Sequence, residues 1–294
     1  MRSAFADVMF EELTLNTRSC LLLGDIGINS HKRSFQHYPE RVFNLGILEQ
    51  SMVSVGAGMS AEGFIPTLHT IAPFLVERAF EQIKLDFGYQ GLPGNLVTVG
   101  ASLDYSALGA THHCPGDVSL MSTIPGTRIF VPGHEQEFKD LFRVNSKNGH
   151  LNYFRLSELS NSEPVTSFNP GQAKVVRRGS LMTVVAIGPT LDMALGAALG
   201  LDATVVYVNC LNPIDIETII QSVISGRLLI VEPFYEGSIA PLIREIYKFS
   251  GIKVEFCGIP RIFHSSYGDV QEHYASFGFN EEGIRTRMVR MCND

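Results

Sequence analysis

Apolar residues recur along this chain in two rhythms, and the rhythms alternate. Residues 4–17 carry apolar positions at helical spacing and predict an amphipathic helix. Cys20 to Leu23 then reads as a short buried strand that runs into Gly24-Asp25-Ile26-Gly27. Residues 41–45 predict another short strand, after which FNLGILEQ turns into a helix of small and apolar residues ending near Glu62-Gly63. Residues 64–69 are strand-like again. Pro73 falls where proline is tolerated, in the first turn of a helix. On that helix Val76, Ala79, Phe80, Ile83 and Phe87 recur on one face, and Gly88 lies just past its end. Strand-like runs return at 95–100, 128–132 and 151–156, with a helix near 134–145 between the last two. Strands alternating with helices predict an α/β fold with a parallel sheet covered on both faces, a three-layer domain.

The rhythm breaks at residues 157–175, SELSNSEPVTSFNPGQAKV, which are rich in Ser, Asn, Pro and Gly and have no apolar period. Such composition marks a domain boundary. A second alternation follows, with strands at 181–187, 203–209, 227–232 and 253–258 and helices near 190–200, 213–224 and 237–249. The expected layout is a first domain at 1–160, a linker at 161–175 and a smaller three-layer α/β domain at 176–294.

Composition agrees with two packed domains. The chain has 294 residues, 45% hydrophobic and 18% charged, which excludes a disordered chain. The formal charge is -7 and no long run of Lys or Arg is present, which argues against general binding to nucleic acid or an anionic membrane. No run of 18 or more apolar residues predicts a membrane span. The opening MRSAFADVMFEEL carries acids and lacks the apolar block of a signal peptide. Cys20, Cys114, Cys210, Cys257 and Cys292 form no CxxC pair and no metal spacing; reduced thiols and a cytoplasmic location are expected.

The candidate chemistry begins with FNLGILEQ at 43–50. A strand ends, a glycine permits a tight turn, and Glu49 lands in the first turn of a helix. Acids favour that position for the helix dipole alone. The helix that follows, Met52 to Ala61, is too small and apolar for a surface helix, so Glu49 is expected at a buried contact. An unpaired buried carboxylate tends to be protonated, and a neutral carboxylic acid is a hydrogen-bond donor. Further along, Thr111-His112-His113 sits in a loop, where such residues commonly serve a site.

FNLGILEQ, then GFIPTLHTIAPFLVERAFEQIKLDFGYQ at 63–90, then GATHH at 109–113, resemble in order and spacing the pyrimidine-binding domain of transketolases. They are similar too to 1-deoxyxylulose-5-phosphate synthases. VEPFYEGSIAPLI at 231–243 extends the resemblance into the C-terminal domain, so it covers nearly the whole chain. The resemblance implies thiamine diphosphate as cofactor. Glu49 would hydrogen-bond the aminopyrimidine N1′ and favour the imino tautomer, whose 4′-nitrogen deprotonates thiazolium C2 for attack on a ketose carbonyl. Ile47 and Phe74 would line the pyrimidine. His112 would reach the reacting carbons, with His113 sharing or covering that role. Arg155 would hold the distal phosphate of a sugar substrate, and Asp25 would lie between subunits near the substrate.

Two departures stand out. Ala107-Leu108-Gly109 replaces a Glu-Asp pair, and Gly100-Ala101 replaces a histidine, so two polar contacts to an ordinary sugar phosphate are missing. A site without them suits a different or less hydroxylated substrate. The family's magnesium signature, Gly-Asp-Gly followed by Asn, is also absent; Gly24-Asp25-Ile26, Gly116-Asp117-Val118 and Gly268-Asp269-Val270 do not match it. The expectation is therefore a split enzyme. This chain supplies no metal ligand, and a diphosphate-binding partner subunit holds Mg2+, in an α2β2 heterotetramer. Ketol transfer between sugars or sugar phosphates is the leading activity. A decarboxylating synthase or 2-oxo acid dehydrogenase-like subunit is the second reading, and a silent assembly subunit the third. Retention of Glu49 and His112 argues against silence.

Overall fold

Ser19–Leu23, Gly94–Val99 and Leu151–Arg155 are buried at every position. Strands without a solvent face need helices on both sides, and these lie at the centre of such an arrangement. The computed structural model describes residues 1–166, 171–248 and 251–293. In chain order, α1 (Arg2–Leu15), β1 (Ser19–Leu23), α2 (Lys32–His37), β2 (Val42–Asn44), α3 (Glu49–Ala61) and β3 (Ile65–Ile71) come first. Pro73–Glu77 and Ile83–Tyr89 are wound as π-helix on either side of a short α-helical piece, α4 (Phe80–Gln82). β4 (Gly94–Val99), α5 (Asp117–Met121), β5 (Arg128–Phe130), α6 (Glu135–Asn145) and β6 (Leu151–Arg155) complete the first half. The second half holds β7 (Lys174–Arg177), β8 (Met182–Ile187), α7 (Leu191–Ala197), β9 (Ala203–Val208), β10 (Cys210–Asn212), α8 (Ile216–Ser222), β11 (Arg227–Tyr235), β12 (Lys253–Ile259), α9 (Val270–Ser276) and α10 (Glu281–Asn293).

Two sheets result, ordered β10-β5-β6-β4-β3-β1-β2 and β12-β11-β8-β9-β7. Pairing is parallel except at one edge of each, where β10 runs against β5 and β7 against β9. The wholly parallel sheets expected from the sequence are thus mixed at their edges. β10 also crosses the expected division, because a strand of the second half completes the sheet of the first. One face of the first sheet packs Phe5, Met9, Phe138 and Phe142 of α1 and α6. The other packs Met52, Val53, Val76 and Ile83. α3 lies so close to β3 that a Cβ at Gly56 would meet Leu68 Cδ1 at 2.9 Å.

Differences from expectation have local causes. The helix expected over 237–249 is a string of turns followed by a 3-10 helix at Arg244–Lys248, with residue 249 outside the described residues. Gly237 sits at φ +80, and Pro241 has no N–H to give a helix. The linker expected at 161–175 falls partly on 167–170, outside the described residues, and its last two residues already belong to β7. α9 and α10 were not anticipated, although Asp269 and Glu272 form a capping box. No helix among the described residues is long and apolar enough to cross a membrane.

Candidate functional site

The site lies at the carboxyl ends of β1, β3, β4 and β6, where parallel strands leave a crevice. Asn44, at the end of β2, organises one wall. Its Oδ1 accepts from the backbone N–H groups of Asp25 (2.9 Å) and Gly46 (3.1 Å), and its Nδ2 donates to Asp25 Oδ1 (3.2 Å). The two loops are thereby fixed to each other just before Glu49. Asp25 itself is exposed and held at φ +66.

Glu49 opens α3 and is 1% exposed. Its Oε2 accepts from Arg78 Nη1 at 2.8 Å, while Oε1 is buried without a hydrogen-bond partner. The wholly unpaired carboxyl expected from the sequence is therefore revised: one oxygen is tied and one is free. The partner lies one helical turn beyond Phe74. Arg78 carries its guanidinium carbon 4.3 Å from the Phe74 ring centroid, so cation and aromatic ring brace each other. Phe74 in turn meets the His112 ring at 5.2 Å, nearly perpendicular. Ile47 stands 67% exposed on the turn before Glu49.

The 105–113 loop carries the histidines. The Thr111 hydroxyl lies 3.4 Å from the Leu108 carbonyl and 2.9 Å from His112 Nδ1, which ties that ring nitrogen to the loop and leaves Nε2 facing outward from the pair. Tyr105 brackets the other side of the imidazole at 6.2 Å. Gly100 permits this, since any Cβ there would collide with the Tyr105 ring, and its φ of +72 suits glycine. His113 turns the opposite way. It is 7% exposed and packs toward His273 (6.0 Å) and His264 (6.5 Å) of the second half, and burial lowers its pKa.

Arg155 does not reach the crevice. It is 0% exposed, its Nε donates to Asp117 Oδ2 at 2.7 Å and its Nη2 to Ser102 Oγ at 2.7 Å. Nη2 also reaches the Pro233 carbonyl at 3.3 Å, across to β11. The sequence suggested a phosphate-facing arginine at a strand end; the structure places it inside, because Asp117 stands opposite. Arg2 of α1 lines a neighbouring cavity with Tyr105 and donates to its hydroxyl.

The structure thus brings Glu49, Phe74 and His112 together, with Ile47 and Asp25 on adjoining loops, and separates His113 and Arg155 from them. Arg78, Asn44, Tyr105 and Arg2 escaped the sequence reading. Arg78 follows Phe74 by four residues, one helical turn, which is the only trace of it in the sequence. Among the described residues no group of three or more His, Cys, Asp or Glu is arranged to hold a metal ion.

The class of protein is thus an α/β fold with a buried helix-start carboxyl, one oxygen free, close to an aromatic ring and a histidine loop. Comparisons with known proteins give the lineage. The profile of the transketolase pyrimidine-binding domain matches residues 1–161, and that of the transketolase C-terminal domain matches residues 171–284. The chain belongs to the transketolase family. An uncharacterized 33.6 kDa protein of the fasciation locus of Rhodococcoides fascians is 37% identical over 82% of this chain and 78% of its own length. An apulose-4-phosphate transketolase subunit of Phocaeicola vulgatus is 27% identical over 96% of this chain and 94% of its own. A solved split-gene transketolase, described as an inactive β4 tetramer, superposes with a TM-score of 0.87 at 26% identity, covering 99% of this chain and 97% of that one. Family membership implies use of thiamine diphosphate, and these relatives imply a partner subunit.

Proposed function

We propose that this chain is the β-type, C-terminal subunit of a two-component transketolase, moving a two-carbon ketol unit from a ketose to an aldehyde. Residues 1–160 would form the pyrimidine-binding domain and 176–294 the C-terminal domain. One observation carries the reading: the free, buried Oε1 of Glu49 beside Phe74. A protein interior leaves a carboxyl oxygen unpaired only at a cost of about 1–3 kcal/mol, and a ring nitrogen is the kind of partner that would recover it.

When bound, thiamine diphosphate supplies a carbon nucleophile and an electron sink. The chain's own residues do the rest. Glu49 Oε1 would hold the aminopyrimidine N1′ and share its proton. Arg78 pins Oε2, so the carboxyl keeps one orientation. Phe74 and Ile47 would cover the ring and keep water from it. His112, with Nε2 free, would move protons at substrate oxygens. Asp25 would face a neighbouring subunit. Diphosphate and Mg2+ are assigned to that partner, since Gly-Asp-Gly is missing here. Ile47, Leu48 and Val55, exposed by 67%, 58% and 46%, offer the apolar surface it would cover. An α2β2 assembly in the cytoplasm is the expected working form.

Mixing this chain with its diphosphate-binding partner, thiamine diphosphate and Mg2+ should give ketol transfer, with each subunit inactive alone. Turnover by this chain alone would overturn the two-component reading. Carbon dioxide release from a 2-oxo acid donor, in place of ketol transfer, would give the decarboxylating one. In the assembled enzyme His112→Ala should slow turnover about 10²-fold while cofactor affinity changes little. Equal loss of both would make His112 a structural residue.

A further inference from the structure

Two loops, one from each half, meet through their buried histidines. In the 105–113 loop none of residues 107–112 is buried, whereas His113 is. In the loop after β12 every residue of 261–267 is exposed except His264. His273 of α9, 3% exposed, is the third member. The ring centroids lie 6.0, 6.1 and 6.5 Å apart at angles of 75°, 83° and 65°, each pair within the range of edge-to-face packing. Phe277 backs His264 at 5.2 Å. α9 also packs on the 3-10 turn at Ser106–Leu108, and a Cβ at Gly109 would stand 3.7 Å from the Tyr267 ring.

This packing works by shape. The Nε2 atoms of His264 and His273 are buried without a hydrogen-bond partner, so no bond from these atoms joins the rings. Burial lowers the pKa of His113 and of His264, and at neutral pH they pack as uncharged rings without mutual repulsion. The link to His112 is covalent. Its Cα is one peptide, about 3.8 Å, from that of His113. Its ring turns the other way, toward Phe74 and Tyr105. Along the chain His113 is the nearest buried side chain to His112. Where His113 is held, His112 has little room to travel.

We infer that His264 and His273 are positioning residues for His112, acting through His113, so that the second half of the chain sets where the histidine of the site stands. The inference rests on the role proposed for His112 and adds the residues that aim it.

The test compares His264→Ala, His273→Ala and His264→Phe in two measurements. In the chain alone, the amides of His112 and Cys114 are bonded to the Gly109 and Ser102 carbonyls at 3.0 and 2.8 Å. Their hydrogen exchange should quicken about tenfold in either alanine variant, while the amides of β8 and β9 keep wild-type protection. In the assembled two-subunit enzyme with its cofactor, either alanine variant should lower kcat about tenfold with cofactor affinity unchanged, within the roughly 10²-fold that displacing a catalytic group can cost. His264→Phe keeps a ring for the same packing and should restore most of both. In a His112→Ala background, His264→Ala should cost less than about twofold more, because the residue it aims is gone. Wild-type exchange and kcat in either alanine variant, or an undiminished tenfold loss in the His112→Ala background, overturns the inference while leaving ketol transfer intact. Loss of protection in β8 and β9 as well makes these histidines residues of folding and overturns it too. Absence of transfer by the wild-type enzyme defeats the ketol-transfer reading instead; the exchange measurement, made without the partner, then still decides whether His264 and His273 hold the His112 loop.

Discussion

Glu49→Ala should abolish thiazolium C2 proton–deuterium exchange in the assembled enzyme, slowing it by about 10²–10⁴-fold, the range for loss of a positioned proton-transfer group. The fold should survive. Glu49 Oε1 has no partner within the chain, and Arg78, 39% exposed, can turn to water once Oε2 is gone. Removing a buried, half-satisfied carboxyl sheds a desolvation cost, so the variant's melting temperature should equal or exceed that of the wild type. Glu49→Gln sharpens the test. Its amide keeps the size of the carboxyl and can still bond to Arg78 and to a ring nitrogen, but it cannot carry a mobile proton. Cofactor should therefore bind nearly as before while exchange is lost. Wild-type exchange in either variant would remove Glu49 from the mechanism. An unfolded Glu49→Ala would make it a structural residue.

The parts of this picture that were legible in the sequence are those fixed by local periodicity. Leu21 to Leu23 and Val184 to Ile187 are apolar runs between helical segments, Leu96 to Val99 is one broken only by Thr98, and each lies in a buried strand. Glu49 could be found because its signal is also local, a glycine turn followed by an acid at the head of an unusually apolar helix. What escaped depends on distant partners. Cys210–Asn212 is too short to announce itself, and its pairing with Phe130 lies far back in the chain. Arg78 became part of the site only when α3 brought Glu49 against it. α10 is a different case. Ile284, Met288 and Met291 follow helical spacing on its buried face, a signal present in the sequence and passed over.

The same dependence on tertiary context makes the half-site understandable. Asn44 and Arg78 hold the loop and carboxyl in place without any ligand, so the protein's part is already arranged. What remains open is an apolar rim at Ile47 and Leu48 and one carboxyl oxygen. Both are costs in an isolated subunit and assets in an assembled one, since preorganised groups lose little freedom when the partner and cofactor arrive.

Arg155→Met should destabilise the protein by about 3–5 kcal/mol, the usual result of removing one member of a buried ion pair. In a chain of this size that corresponds to a fall in melting temperature of about 10 °C. Asp117 would keep its bonds from Tyr153 Oη (2.7 Å) and Val118 N (2.9 Å) but lose the charge that compensates it. Arg155 also joins the two halves, through Ser102 and the Pro233 carbonyl. The loss should therefore appear in the unfolding of both halves, followed by calorimetry or urea titration. Replacing both members, Arg155→Met with Asp117→Leu, should recover part of the stability, because no charge is then left uncompensated. A phosphate-binding arginine would behave otherwise: Arg155→Met would fold normally and raise KM for phosphorylated substrates alone. The two outcomes share no observable, so one melting curve separates a residue that grips a substrate from one that holds the domains around it.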